Sequence, residues 1–305
     1  MRLWLVSLGL LPILMVGSGP GAIAGTPALP PQNGLIALGT SDGIRLFDSK
    51  RGTAWTVPGT AAMGNPVWSP DGQRLAVEGW DDDQTSVYTI RPDGSDRQLV
   101  LQDAYSPSWS PDGEELVVTQ SGGNVSVLAI VDADGGEPRQ ITFDHGGDND
   151  GAGEPAWSPD GSWIAFTQGN GAVRLVTPKG EADGIKTIAQ EGMNPAWSPD
   201  GSKLAFDEVE PAKFEQYIAV VDVTTGKRTE LRPRALASAV AWSPDGTRLA
   251  FIAARPMPPT AHGCGEMPSD LWTTSVDGAK PELLEKDVWG QPSWGTSQPE
   301  SKPTT

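Results

Sequence analysis

Five near-identical copies of one pentapeptide, Trp-Ser-Pro-Asp-Gly, constrain this chain more than any other feature. They begin at Trp68, Trp109, Trp157, Trp197 and Trp242. Successive copies lie 41, 48, 40 and 45 residues apart, and a period of about 40–50 residues marks a propeller blade or a solenoid unit. A short apolar run follows each copy: Leu75-Ala76-Val77, Leu116-Val117-Val118, Ile164-Ala165-Phe166, Leu204-Ala205-Phe206 and Leu249-Ala250-Phe251. A repeat this uniform favours one large all-β domain over two smaller ones in 305 residues.

The pentapeptide has a direct physical reading. Proline presets φ at the second position of a type I turn, serine accepts a hydrogen bond at the first, and aspartate (Asp71, Asp112, Asp160, Asp200, Asp245) tolerates the third. The glycines Gly72, Gly113, Gly161, Gly201 and Gly246 take the positive φ that follows, giving a three-residue hairpin loop with a G1 bulge. The tryptophan ends one strand and the apolar run forms its partner. Runs such as Leu-Ala-Phe carry no polar alternation, so both faces are expected to be buried where sheet packs on sheet. The tryptophan is expected to fill the gap between neighbouring sheets.

After each apolar run the pattern supplies a third strand, a Gly- or Asp-rich turn and a fourth strand. The first unit, from Gly34, lacks a preceding pentapeptide, and Pro292-Ser293-Trp294 repeats the strand before each pentapeptide and then stops. The expected fold is therefore an all-β, six-bladed β-propeller of four-stranded antiparallel blades. Pairing of the C-terminal strand, ending at Trp294, with the N-terminal blade closes it and removes free sheet edges. The expected boundaries are a signal peptide at 1–24, a lead-in at 25–33, the propeller at 34–295 and a tail without fixed structure at 296–305.

The first residues carry the secretory pattern: Arg2, an apolar core from Leu3 to Val16, and Ala22-Ile23-Ala24 as a small-residue cleavage site. This predicts a periplasmic or extracellular protein cut after Ala24. The net charge of −17 and pI near 4.4 argue against nucleic acid and against an anionic membrane surface as partners. Cys264 is the only cysteine, so the chain has no internal disulfide.

The repeat resembles the WD-like propeller repeat of the TolB family, over roughly Gly34 to Trp294. The resemblance implies a periplasmic, TolB-like propeller. About ten residues lie between the expected cleavage site and the first strand, so a propeller alone is expected, without the N-terminal α/β domain of TolB. The same repeat occurs in prolyl oligopeptidase and dipeptidyl peptidase relatives.

In an antiparallel meander the pentapeptide turns share one face, and the long acidic insertions share the other. These insertions are Glu78 to Gln84, Asp144 to Glu154, Asp207 to Lys213 and Ile252 to Asp270. Long loops on a rigid scaffold are where binding usually resides. Asp144, Asp148, Asp150 and Glu154, interleaved with glycine, are the candidate Ca²⁺ ligands, although the spacing departs from the EF-hand loop. The competing reading is a solvated acidic loop, as it is for Asp81-Asp82-Asp83. His262 and Cys264 are close in sequence but lack an evident orienting partner, and with His145 they supply too few ligands for zinc. No Gly-x-Ser-x-Gly elbow occurs. A non-catalytic, monomeric module is expected, with no cofactor, binding a protein partner or other ligand through the long-loop face. The alternative is a metal-assisted lyase or hydrolase acting on a saccharide at that acidic face.

Overall fold

The structure, a computed structural model, describes residues 34–81, 84–121, 125–143, 151–210, 215–232, 236–255 and 269–295. Among these residues there are 23 strands and no helix. The chain opens with β1 (Leu35–Thr40), β2 (Gly43–Asp48) and β3 (Thr53–Thr56). Four separate four-stranded antiparallel sheets follow. The first holds β4 (Met63–Trp68), β5 (Leu75–Asp81), β6 (Gln84–Ile90) and β7 (Gln98–Gln102). The second holds β8 (Ala104–Trp109), β9 (Glu115–Ser121), β10 (Ser126–Asp132) and β11 (Arg139–Gln140). The third holds β12 (Ala152–Trp157), β13 (Ile164–Gln168), β14 (Val173–Thr177) and β15 (Gly180–Ala189). The fourth holds β16 (Met193–Trp197), β17 (Lys203–Glu210), β18 (Glu215–Asp222) and β19 (Arg228–Leu231). The last strands are β20 (Ala237–Trp242), β21 (Arg248–Ala254), β22 (Ser269–Ser275) and β23 (Glu282–Trp294).

The architecture is an all-β propeller with four-stranded antiparallel blades, but the separate four-stranded sheets number four, not the expected six. The other seven strands form one sheet in the order β20-β21-β22-β23-β1-β2-β3. The cause is β23, which runs 13 residues as one strand. Its first half pairs with β22, from Thr273↔Glu282 to Ser269↔Val288. Its second half pairs with β1, with Ala37 opposite Ser293 and Ile36 opposite Trp294. The first and last described strands therefore meet in one ladder, as the orphan Trp294 strand predicts.

The pentapeptide turns form as their composition requires. In each, the glycine N–H donates to the serine carbonyl three residues earlier, at 2.8–3.0 Å. The glycines hold φ between 67° and 74°. The aspartate does more than tolerate its position. The serine hydroxyl donates to it at 2.6 Å in all five turns. The same hydroxyl then accepts the N–H of the residue five positions on.

The core lies mostly between neighbouring sheets, with its last cluster inside the seven-stranded sheet. Leu46 and Leu35 of the first strands pack with Leu75, Val77 and Trp68 of the next sheet. The pattern repeats around the chain and ends where Ile36, Leu38 and Phe47 meet Ala250, Ile252 and Leu271. Trp68, Trp109 and Trp242 are buried within these layers, while Trp157, Trp197 and Trp294 pack against them half-buried. Indole N–H groups stitch consecutive sheets: Trp109 Nε1 donates to Val67 O, Trp197 Nε1 to Ala156 O and Trp242 Nε1 to Ala196 O, at 3.0–3.1 Å. Where serine precedes the earlier tryptophan, its hydroxyl accepts the next tryptophan's backbone N–H instead: Ser293 from Trp68 and Ser108 from Trp157, both at 3.0 Å.

Candidate functional site

The first strand of each repeat unit carries a variable residue three positions before the tryptophan. These residues are Asn65, Ser106, Glu154, Asn194, Ala239 and Gln291. All but Ala239 precede a proline, which cannot donate to a ladder and in sheets is confined to edges and bulges. The strand pairing slips at this point in β4, β8, β12, β16 and β20. Asn65, Ser106, Glu154, Asn194 and Ala239 take φ between 46° and 53°, a left-handed conformation unusual for residues other than glycine. In β23 the corresponding bend falls on Gly290, at φ 75°.

Three of the bulges turn a backbone N–H towards the preceding unit, where a carboxylate accepts it. Glu78 Oε1 accepts from Ser106 N at 2.7 Å, Glu154 Oε2 from Asn194 N at 2.8 Å and Asp207 Oδ2 from Ala239 N at 2.8 Å. Asn65 Oδ1 accepts in the opposite sense, from Gln291 N at 3.4 Å, since Gln291 lies on β23 beside β1 in the unit before it. Within their own units, Asn65 Nδ2 donates to Glu78 and Asn194 Nδ2 to Asp207, each at 2.8 Å. In β12 the arrangement is inverted: the bulge residue is itself the acid, and Thr167 on the neighbouring strand donates to Glu154 Oε2 at 2.8 Å.

These residues frame a cavity of about 410 Å³, lined by Asn65, Glu78, Ser106, Glu154, Asn194 and Gln291 together with Ser238, Ser269 and Trp289. No lysine, arginine or histidine is among the described residues lining it. Gln291 Nε2 reaches across one intervening repeat unit to Asn194 Oδ1 at 2.8 Å. The Trp289 ring lies over Gly39 and Gly64; a Cβ on Gly64 would stand 2.5 Å from that ring. Trp80, 45% exposed, tilts against Trp289 with 6.2 Å between ring centroids. A second cavity of similar size, lined by prolines and the repeat tryptophans, opens towards the pentapeptide turns. The polar groups converge on the first.

Burial sets the electrostatics. Asp207 is fully buried, and its Oδ1 has no hydrogen-bond partner among the described residues. Desolvation pushes its carboxyl up to about 7, opposed by the hydrogen bonds from Ala239 and Asn194 and reinforced by the charge of Glu154. Burial likewise raises the Glu78 carboxyl, against its hydrogen bonds from Ser106 and Asn65. Neither acid, nor Glu154, forms an ion pair among the described residues.

The sequence-derived site residues fall in different places. Of the four Ca²⁺ candidates only Glu154 is described. It is a strand residue at a bulge rather than the end of a loop. Asp144, Asp148 and Asp150 lie outside the described residues, as do Asp82, Asp83, His145, His262 and Cys264. Among the described residues no three His, Cys, Asp or Glu side chains are grouped to hold a metal. Glu78 and Asp207, expected in loops, belong to β5 and β17 and are buried. Successive residues of β17 point to opposite faces. Asp207 turns to the Ala239 bulge, whereas Glu208 pairs with Arg228 and Glu210 with Arg232. The repeat aspartates Asp71, Asp112, Asp160, Asp200 and Asp245 are all held in turn hydrogen bonds. Apart from Glu154, the bulge residues and Trp289 escaped the sequence reading. Their signal was a polar residue before Pro-x-Trp in five of the six units.

Comparison with known proteins agrees with this geometry. Residues 53–175 match the family model described as the TolB beta propeller domain. No curated protein matches the chain. Among solved structures, TolB from Acinetobacter baumannii superposes with a TM-score of 0.71 at 20% identity, over 88% of this chain and 68% of that one. A nidogen/laminin complex superposes at 0.67 and 13% identity, over 88% of this chain and 100% of that one. An oligogalacturonate lyase in complex with manganese gives 0.53 at 16% identity, over 80% and 70%. At these identities the likeness shows the fold.

Proposed function

We propose that this TolB-like β-propeller is a non-catalytic, periplasmic or secreted docking module that receives a protein partner at the polar cavity framed by the bulges. We count six blades in it, taking the seven-stranded sheet as two blades that share β23. The observation that carries the reading is the placement of variation. Turns, tryptophans and apolar runs repeat almost unchanged, while the residues facing the cavity are of five types across the six units: Asn65, Ser106, Glu154, Asn194, Ala239 and Gln291. A rigid scaffold with a variable centre is the arrangement expected of a recognition site. The apolar run at Leu3 to Val16 supports export, and the solved nidogen/laminin complex is a precedent for this fold in a protein–protein assembly.

The competing reading is a saccharide-cleaving enzyme, favoured by the similarity to the oligogalacturonate lyase fold. An acidic sugar chain would meet Glu78 and Glu154 in this cavity with no basic side chain among the described lining residues to offset them. The test is quantitative pull-down from an envelope fraction with the exported chain and with Ser238→Trp, which fills the cavity. Docking predicts a partner retained by the wild type and lost by a variant that melts normally. Equal retention by both, or release of unsaturated products from oligogalacturonate, would overturn the reading.

A further inference from the structure

The acids at the cavity exceed what the fold asks of them. Their structural task is to accept one backbone N–H from the next unit. A neutral amide can accept a backbone N–H from a neighbouring unit, as Asn65 Oδ1 does from Gln291 N at 3.4 Å. Yet the cavity keeps two ionisable carboxyls, Glu78 and Glu154, and a third, Asp207, buried beside Asn194. No ion pair offsets any of them among the described residues. Removing like charges from water without a counter-ion is costly. Glu154 is the acid with an oxygen to spare: Oε2 takes both Asn194 N and Thr167 Oγ1, and Oε1 has no hydrogen-bond partner among the described residues. Trp289 contributes an aromatic wall to the same cavity, and a cation over an indole face is attracted to its π-electrons.

We propose that the cavity receives one basic side chain of the partner, a lysine ammonium or an arginine guanidinium, between the Glu154 carboxylate and the Trp289 ring. This rests on the docking reading and names the chemistry that docks. A single extended cation with an aliphatic stem suits a narrow polar opening with an indole wall. Metal coordination fits less well, since no group of three metal-holding side chains is found among the described residues.

The test uses the whole exported chain and small probes. n-Butylammonium chloride is titrated with indole fluorescence and calorimetry as readouts, against n-butanol as the neutral isostere and trigalacturonate as an acidic saccharide. The expected result is saturable binding of butylammonium with a Kd on the order of 1–10 mM, the range a five-atom fragment can reach. Binding should weaken with added NaCl and fall at least tenfold in Glu154→Gln, a variant that keeps an acceptor for Asn194 N. A Glu78→Gln variant should also weaken it. An equal response to butanol, unchanged affinity in both variants, or saturation by trigalacturonate instead would overturn the proposal. The two readings separate cleanly. A silent butylammonium titration with partner still lost in Ser238→Trp removes the cation and leaves docking. Partner retained in Ser238→Trp removes both.

Discussion

At Asp200 the Ser198 hydroxyl and the N–H and hydroxyl of Ser202 hold an exposed carboxylate down to about 2. At Asp207, in the strand that follows, burial pushes the carboxyl up to about 7. Asp112, Asp160 and Asp245 are lowered chiefly by the serine two residues before each. Linkage gives the two groups opposite signs. A lowered carboxyl lends stability above its ordinary value of 3.8 and loses it as the pH falls towards 2. A raised one binds its proton more tightly in the folded chain, so its contribution declines as the pH climbs from 3.8 to about 7. Asp207→Asn is therefore expected to raise the melting temperature at pH 8 relative to the wild type and to lose that advantage at pH 4. A shift of equal size at both pH values would contradict the assignment. Asp200→Asn should show the reverse, with a loss at pH 7 that shrinks towards pH 2, followed by thermal melts across that range. Gly64→Ala tests the packing under Trp289, because the added Cβ meets the ring at 2.5 Å. The expected cost is about 1–3 kcal/mol, with a changed Trp289 indole signal in NMR.

At the scale of elements, the pentapeptide hairpin and strand β23 carry the argument. Gly161 holds φ 74° with its nearest neighbour Pro111 at ordinary contact distance, so backbone conformation rather than space restricts it. Gly161→Val should cost about 1–3 kcal/mol in chemical denaturation, and an unchanged midpoint would refute the turn. Deleting residues 291–305 removes Trp294 and the pairing of Ala37 with Ser293. The lost tryptophan alone implies about 3–5 kcal/mol, and the bared edge of β1 should promote association, visible by light scattering. The hairpins were legible in the sequence because each is decided by four consecutive residues. Closure was legible because Pro292-Ser293-Trp294 has no turn after it. The length of β23 was not, since nothing in its composition marks where pairing passes from β22 to β1. Nor was the fate of Glu78 and Asp207, which read as loop acids until the strands were seen to extend past them and the next unit's bulge was seen to need an acceptor.

Over the described residues, apolar side chains fill the layers between strands of neighbouring blades, and the two buried carboxyls without an ion pair, Glu78 and Asp207, lie at or beside the cavity. The chain's net charge of −17 adds a long-range field of the same sign. That field speeds the approach of a basic partner and is screened beyond about 10 Å at 0.1 M salt. Partner association should therefore slow as ionic strength rises, with dissociation changing less. The most direct measurement of the central claim is site-specific photo-crosslinking in the envelope. A photoreactive residue replaces Ser238, at the cavity, or Gln73, in a pentapeptide turn on the opposite side. Docking at the cavity predicts a discrete protein adduct from position 238 and none from 73. An adduct from 73 alone, or none from either position with the chain exported and folded, would contradict it.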